Sequence, residues 1–131
     1  MKITIPGRPI TKKNSQQIFR NRQTGKPFIT QSKQYKQYEK AALWELSTCQ
    51  EKFKGDKLHV KCEYWMPNRR SWPDLVGLLQ ASWDIIEKAG IIDDDGNIVS
   101  ADGSRIVGID KNNPRADIYI EEADGELEVV E

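Results

Sequence analysis

Apolar and polar positions alternate at the start of the chain. Ile3 and Ile5 sit two apart among Lys2, Thr4 and Pro6, which predicts a strand over residues 2–5 stopped by Pro6-Gly7. Residues 8–15, Arg-Pro-Ile-Thr-Lys-Lys-Asn-Ser, read as a basic loop. Residues 17–20 and 27–30 flank a turn at Thr24-Gly25 and predict a hairpin that carries Arg20, Arg22 and Lys26. Ser32 is placed to cap a helix running to about residue 49. There Tyr35, Tyr38, Ala42, Leu46 and Cys49 recur at three- and four-residue spacing and make one apolar face. Lys33, Lys36 and Lys40 lie on another face, which suits either solvent or a polyanion.

The second half is patterned as clearly. Leu58, Val60, Cys62 and Tyr64 alternate with His59, Lys61, Glu63 and Trp65, the signature of a half-buried strand. A second helix is predicted from Pro73 or Asp74 to Lys88, with proline in its first turn and Gly90 just past its end. Its buried stripe is Leu75, Leu78, Leu79, Ser82, Ile85, Ile86 and Ala89. Residues 97–100 and 105–109 read as strands around a turn at Asp102-Gly103, and residues 116–120 as a last strand. Residues 122–131 form an acidic tail expected to fray. The pattern predicts one α+β domain over residues 1–131. Its sheet is mixed and mostly antiparallel, strands pair mainly with sequence neighbours, and two main helices pack on it.

Composition narrows the classes. The longest apolar runs are far too short for a membrane span, and the first residues lack a signal-type apolar stretch, so a cytoplasmic protein without membrane contact is expected. Two cysteines cannot build a disulfide framework, and one histidine with two separated cysteines argues against a zinc site. The net charge of zero conceals two poles. Residues 1–40 hold ten Lys or Arg against one acid, whereas residues 84–131 hold four against fourteen. Such asymmetry suits a basic surface for nucleic acid beside an acidic region, although two segments that neutralise each other would show it too.

Few residues carry candidate chemistry. No phosphate-cradling glycine loop and no nucleophile elbow is present. Cys62 lies on the opposite strand face from His59, the only available base, so a cysteine nucleophile is discounted. The acids are better candidates. Arg69-Arg70-Ser71-Trp72-Pro73-Asp74 combines two guanidinium groups, an aromatic plane and a carboxylate at a helix start. Asp74 also suits plain helix capping. Asp93-Asp94-Asp95-Gly96 offers adjacent oxygen ligands of the kind magnesium takes, or an ordinary polar turn.

The order Pro-Asn-Arg-Arg, Pro-Asp-Leu, Trp-Asp-Ile-Ile-Glu-Lys-Ala-Gly and then Asp-Asp beside a turn resembles the RusA family of Holliday-junction resolvases, in its phage type. The likeness is strongest over residues 64–99. It implies a homodimer that binds four-way or branched DNA and cuts it with Mg²⁺, or Mn²⁺, held by aspartates. Carried over, the first catalytic residue falls on Asp74 and the late one on Asp95, with Asp74, Asp94 and Asp95 as metal ligands. Lys12, Lys13, Asn14, Arg69 and Arg70 are then the DNA contacts, and Trp72 or Phe19 stacks at the crossover or belongs to the core. The sequence departs from the family pattern at Val76, where a second Asp is usual, at Gly77 in place of Asn, and at Gln80 in place of Lys. These departures leave a junction-binding module without cleavage as the alternative.

Helix geometry limits the ligand set. Asp84 lies about 15 Å along the helix from Asp74 and is expected in a structural ion pair. A helix over residues 74–88 is about 21 Å long. Residues 89–95, fully extended, span about 23 Å. Asp95 therefore reaches Asp74 only if the helix is shorter than this or the chain runs straight back along it; otherwise the two meet across a dimer.

Overall fold

The structure is a computed structural model. It describes residues 1–12, 16–20, 23–25, 27–31, 33–123 and 125–130, without the side chains of 16–20 and 27–31. Lys13, Asn14, Arg22, Lys26 and the expected cap Ser32 lie outside the described residues.

The chain forms β1 (Lys2–Pro6), β2 (Gln16–Arg20), β3 (Pro27–Gln31), α1 (Lys33–Leu46), β4 (Leu58–Met66), α2 (Leu75–Lys88), β5 (Ile98–Ser100), β6 (Arg105–Ile109) and β7 (Arg115–Glu122). The α+β class read from the sequence is what the structure contains. β2 and β3 pair as the expected hairpin. The main sheet has the order β1-β7-β4-β5, with β6 also on β4. β7 runs antiparallel to both β1 and β4, whereas β5 and β6 run parallel to β4.

The strands on either side of Asp102-Gly103 form as expected but do not pair with each other. β5 pairs with Leu58 and His59, and β6 pairs with Glu63 to Met66, so both lie in succession along one edge of β4. The turn between them only interrupts the edge. Ser104 N–H donates to Ala101 O at 3.0 Å, and the Ser104 hydroxyl accepts from Cys62 N–H at 3.0 Å, replacing the missing ladder bond. A parallel partner for β4 requires a long crossover, and α2 supplies it. Parallel pairing also takes the strands away from their sequence neighbours.

Both helices cover one face of the sheet. Leu58, Val60, Cys62, Tyr64 and Met66 are buried along β4, and Ala116, Ile118 and Ile120 beside them on β7. Ala42 and Leu46 of α1 and Leu78, Ile85 and Ile86 of α2 complete the core. The buried Tyr64 hydroxyl meets the Ser82 hydroxyl at 2.8 Å, which satisfies two polar groups in an apolar layer. Burial pushes the Cys62 thiol up to about 12, so it stays protonated at neutral pH and is no nucleophile.

The opposite face is open and polar. Asp117, 3% exposed, accepts from the Thr4 hydroxyl at 2.8 Å and from Arg115 Nε at 3.2 Å. Arg115 also reaches Asp110 at 2.9 Å and stands over the Trp65 ring at 5.0 Å. His59 donates from Nε2 to Asp102 O at 3.0 Å, and its Nδ1 lies 3.2 Å from Glu121, so the only histidine is engaged at both nitrogens.

Candidate functional site

α2 has a candidate acid at each end. At its start, Asp74 is the N-cap, with an extended backbone and a carboxylate that accepts from Gly77 N–H at 3.2 Å. Gly77 is closely packed there. A Cβ at this position would stand 2.9 Å from Asp74 Oδ1 and 3.1 Å from Thr11 Cγ2. A larger residue there would press on the cap carboxylate. The adjacent Val76 is 62% exposed.

At its end, α2 closes in a Schellman arrangement around Gly90, whose φ is 76°. Ile91 N–H donates to Ile86 O at 3.0 Å and Gly90 N–H to Glu87 O at 2.9 Å. Ile91 and Ile92 then anchor in the core, and Phe53 N–H donates to Ile91 O at 2.8 Å. This anchoring turns the three aspartates back over the last turn of the helix. Asp95 N–H donates to Glu87 Oε1 at 2.9 Å, while the Asp94 carboxylate accepts from Gly96 N–H at 2.8 Å. Glu87, Asp94 and Asp95 each place an oxygen within 4.8 Å of the others, close enough to share one cation. Local desolvation of this exposed carboxyl, then the charge of Glu87, then the hydrogen bond and charge of the Asp94 side chain push Asp95 above its usual value.

The structure thus brings Asp94 and Asp95 together and adds Glu87. Asp74 is not among them, since the 14 residues of α2 put it about 20 Å of helix away. Glu87 was missed because its partners are fixed by the Gly90 turn rather than by spacing. The available signal was its place on the helix face it shares with the exposed Val76 and Gln80 and the half-buried Trp83.

The basic residues are deployed unequally. Lys12 pairs with Asp84 at 2.7 Å, and Lys88 pairs with both Asp84 at 3.2 Å and Glu39 at 3.1 Å. Asp84 therefore has the structural role expected for it, tying the first loop and α1 to α2. Burial alone would raise the Asp84 carboxyl, but Lys12 and Lys88 outweigh it and hold the group below its usual value. A depressed carboxyl stabilises the fold above its unfolded pKa, and that contribution is lost as pH falls through the lower folded value. Urea midpoints measured down through pH 4 should fall more steeply for the wild type than for Asp84→Asn.

Arg69 and Arg70 are exposed in the loop before α2. The Arg69 guanidinium stacks over the Trp72 ring at 4.0 Å, and Trp72 Nε1 donates to Asn68 O at 2.6 Å. The loop closes with Arg70 N–H on Asn68 Oδ1 at 2.9 Å and with Ser71 at a φ of 51°, a backbone region where non-glycine residues are strained.

Comparison with known proteins adds one relation. No family model matches the chain. A curated relative aligns over 65 residues at 40% identity, covering 47% of this chain and 48% of its own length, so the match spans about half of each protein. That similar protein is the crossover junction endodeoxyribonuclease RusA of Aquifex aeolicus.

Proposed function

We propose that this protein is a structure-specific endonuclease that resolves four-way and branched DNA, with Mg²⁺ or Mn²⁺ held by Glu87, Asp94 and Asp95. The observation that carries the reading is the gathering of these three carboxylates, in a chain similar over half its length to a junction resolvase. The donor set fits such an ion, because it is all oxygen and offers the carboxylates that hard divalent cations take. Bound there, the cation supplies the positive charge that phosphodiester hydrolysis needs at the phosphate.

The chain's own groups bind and orient the DNA. Arg69 and Arg70 are free to contact backbone phosphates, while Lys12 reaches a phosphate only by leaving or sharing Asp84. Lys13 and Asn14 belong to the same basic loop and are proposed contacts on sequence grounds alone. Shape, rather than base edges, selects the junction, and binding weakens steeply with salt.

Asp74 enters the site across a two-fold dimer. Val76, Gln80, Trp83 and Glu87 lie on one helix face. Antiparallel pairing of two such faces, centred near Gln80, brings Asp74 of one copy toward Glu87 of the other. Two cuts on opposed strands also fit two sites related by symmetry.

The test is cleavage of a labelled four-way junction in Mg²⁺ against a linear duplex of the same sequence. Paired symmetric nicks in the junction alone are expected. Tight junction binding without cutting in either metal would leave the second reading, a non-catalytic junction-binding module, which the valine at position 76 favours. Val76→Asp separates the two further. The side chain is exposed, and the first turn of α2 contains no acid, so the substitution is expected to stabilise the helix by about 0.3–1 kcal/mol. It should raise the cleavage rate of a true resolvase and leave a binding module silent, as single-turnover assays would read.

A further inference from the structure

A cavity of about 390 Å³ opens beside the start of α2, between the loop after β1, the first turn of α1 and the Asn68–Trp72 loop. Its size falls in the range of small-ligand sites, about 300–1,000 Å³. Arg8, Thr11, Gln34, Ser71 and Trp72 line it.

Arg8 is the unusual member. Gly7, with a φ of 98° and its N–H on Pro114 O at 3.0 Å, turns the chain out of β1. Arg8 then reaches across to the Asn68–Trp72 loop. One terminal nitrogen donates to Arg70 O at 3.1 Å and contacts Ser71 O at 3.4 Å. Its Nε is buried and has no hydrogen-bond partner among the described residues. No ion pair among those residues offsets its charge. A buried donor without an acceptor is costly, and an unneutralised guanidinium favours an anion.

Trp72 is fixed beside it. Arg69 stacks on the ring and the Asn68 carbonyl holds the indole N–H. The ring is thereby oriented in advance, in a loop strained at Ser71. Thr11 packs where a Gly77 Cβ would stand, against the Asp74 cap, so the cavity adjoins the acid at the start of α2.

We infer that this cavity captures one unstacked nucleotide of the DNA strand, with a phosphate on Arg8 and the base against Trp72. The inference rests on the proposed DNA substrate, but it is a separate property. It would let the protein grip the unpaired residue that a branch point exposes and an intact duplex does not. Aromatic stacking is indifferent to base identity, so the grip is on single-strandedness.

The test uses the intact protein and a fluorescein-labelled oligothymidylate, read by anisotropy beside a labelled blunt duplex of equal length. Arg8→Ala and Trp72→Leu should each weaken oligothymidylate binding about ten-fold and duplex binding less than two-fold. Arg8 and Trp72 also tie down the loop, so Gln34→Glu is the folding-neutral control. Gln34 is exposed in the first turn of α1, where an added acid suits the helix, and it would repel a phosphate in the cavity. The same selective loss is expected. Equal losses on both DNAs would reduce the effect to general charge, and undiminished oligothymidylate binding would empty the cavity of any role, so either result overturns the inference. Because no cleavage is read, failure of the resolvase reading appears separately, as an uncut junction.

Discussion

Asp95→Asn should reduce Mg²⁺-dependent junction cleavage by about a hundred-fold or more while junction affinity in the absence of metal stays within a few-fold. Asp95 has no hydrogen-bonding duty through its carboxylate toward the core, and the residue is exposed. Its backbone N–H, which holds Glu87, survives the substitution. The change therefore removes negative charge and a ligand oxygen without loosening the loop. A hundred-fold corresponds to about 2.7 kcal/mol of lost transition-state stabilisation, modest for a ligand of an ion that offsets phosphate charge. Glu87→Gln should behave in the same way, since the amide oxygen can still accept from Asp95 N–H. It should also bring the Asp95 carboxyl back toward its usual value, by removing one of the charges that raise it. Single-turnover cleavage with anisotropy on the same junction checks both. Unchanged cleavage in Glu87→Gln would exclude Glu87 as a ligand.

Arg115→Met should destabilise the fold by about 3–5 kcal/mol, although Arg115 alternates with the core-facing Ala116 and Ile118 on β7 and so lies on the opposite sheet face. Asp117 is almost fully buried in the open sheet face, and Arg115 Nε is its only ionic partner among the described residues. Removing that partner leaves a charge in a dry place with the Thr4 hydroxyl alone to solvate it. Replacing both groups at once, as Arg115→Met with Asp117→Leu, should recover most of the loss, because no uncompensated charge remains. Urea unfolding of the two single variants and the double variant gives the coupling directly.

Much of the fold was legible from local pattern. The two-residue period at Leu58–Tyr64 named the buried face of β4, and Pro73 with Gly90 bounded α2 closely. α1 ended three residues early, at Leu46, because Ser47 N–H and its hydroxyl both turn back to Trp44 O and close the helix there. What sequence could not supply was the pairing within the main sheet. Nothing local distinguishes β5 and β6 as a hairpin from β5 and β6 laid in turn along β4, since the choice depends on where α2 returns the chain. The site was divided in the same way. Asp94 and Asp95 stood out as adjacent acids, and the 14 residues of α2 already argued against uniting them with Asp74 in one chain. Glu87 joins them through the turn at Gly90, a relation that only the folded chain reveals.

The broken edge of the sheet bears on how two copies can meet. β5 offers three residues and β6 five, with a turn between them, and β1 on the far side offers five that end in a proline. Neither margin presents a long unbroken row of backbone donors and acceptors for another strand to dock on. Growth of the sheet from one molecule into the next is therefore discouraged at both sides. The proposed assembly is directed instead to side chains on α2, where it stops at two.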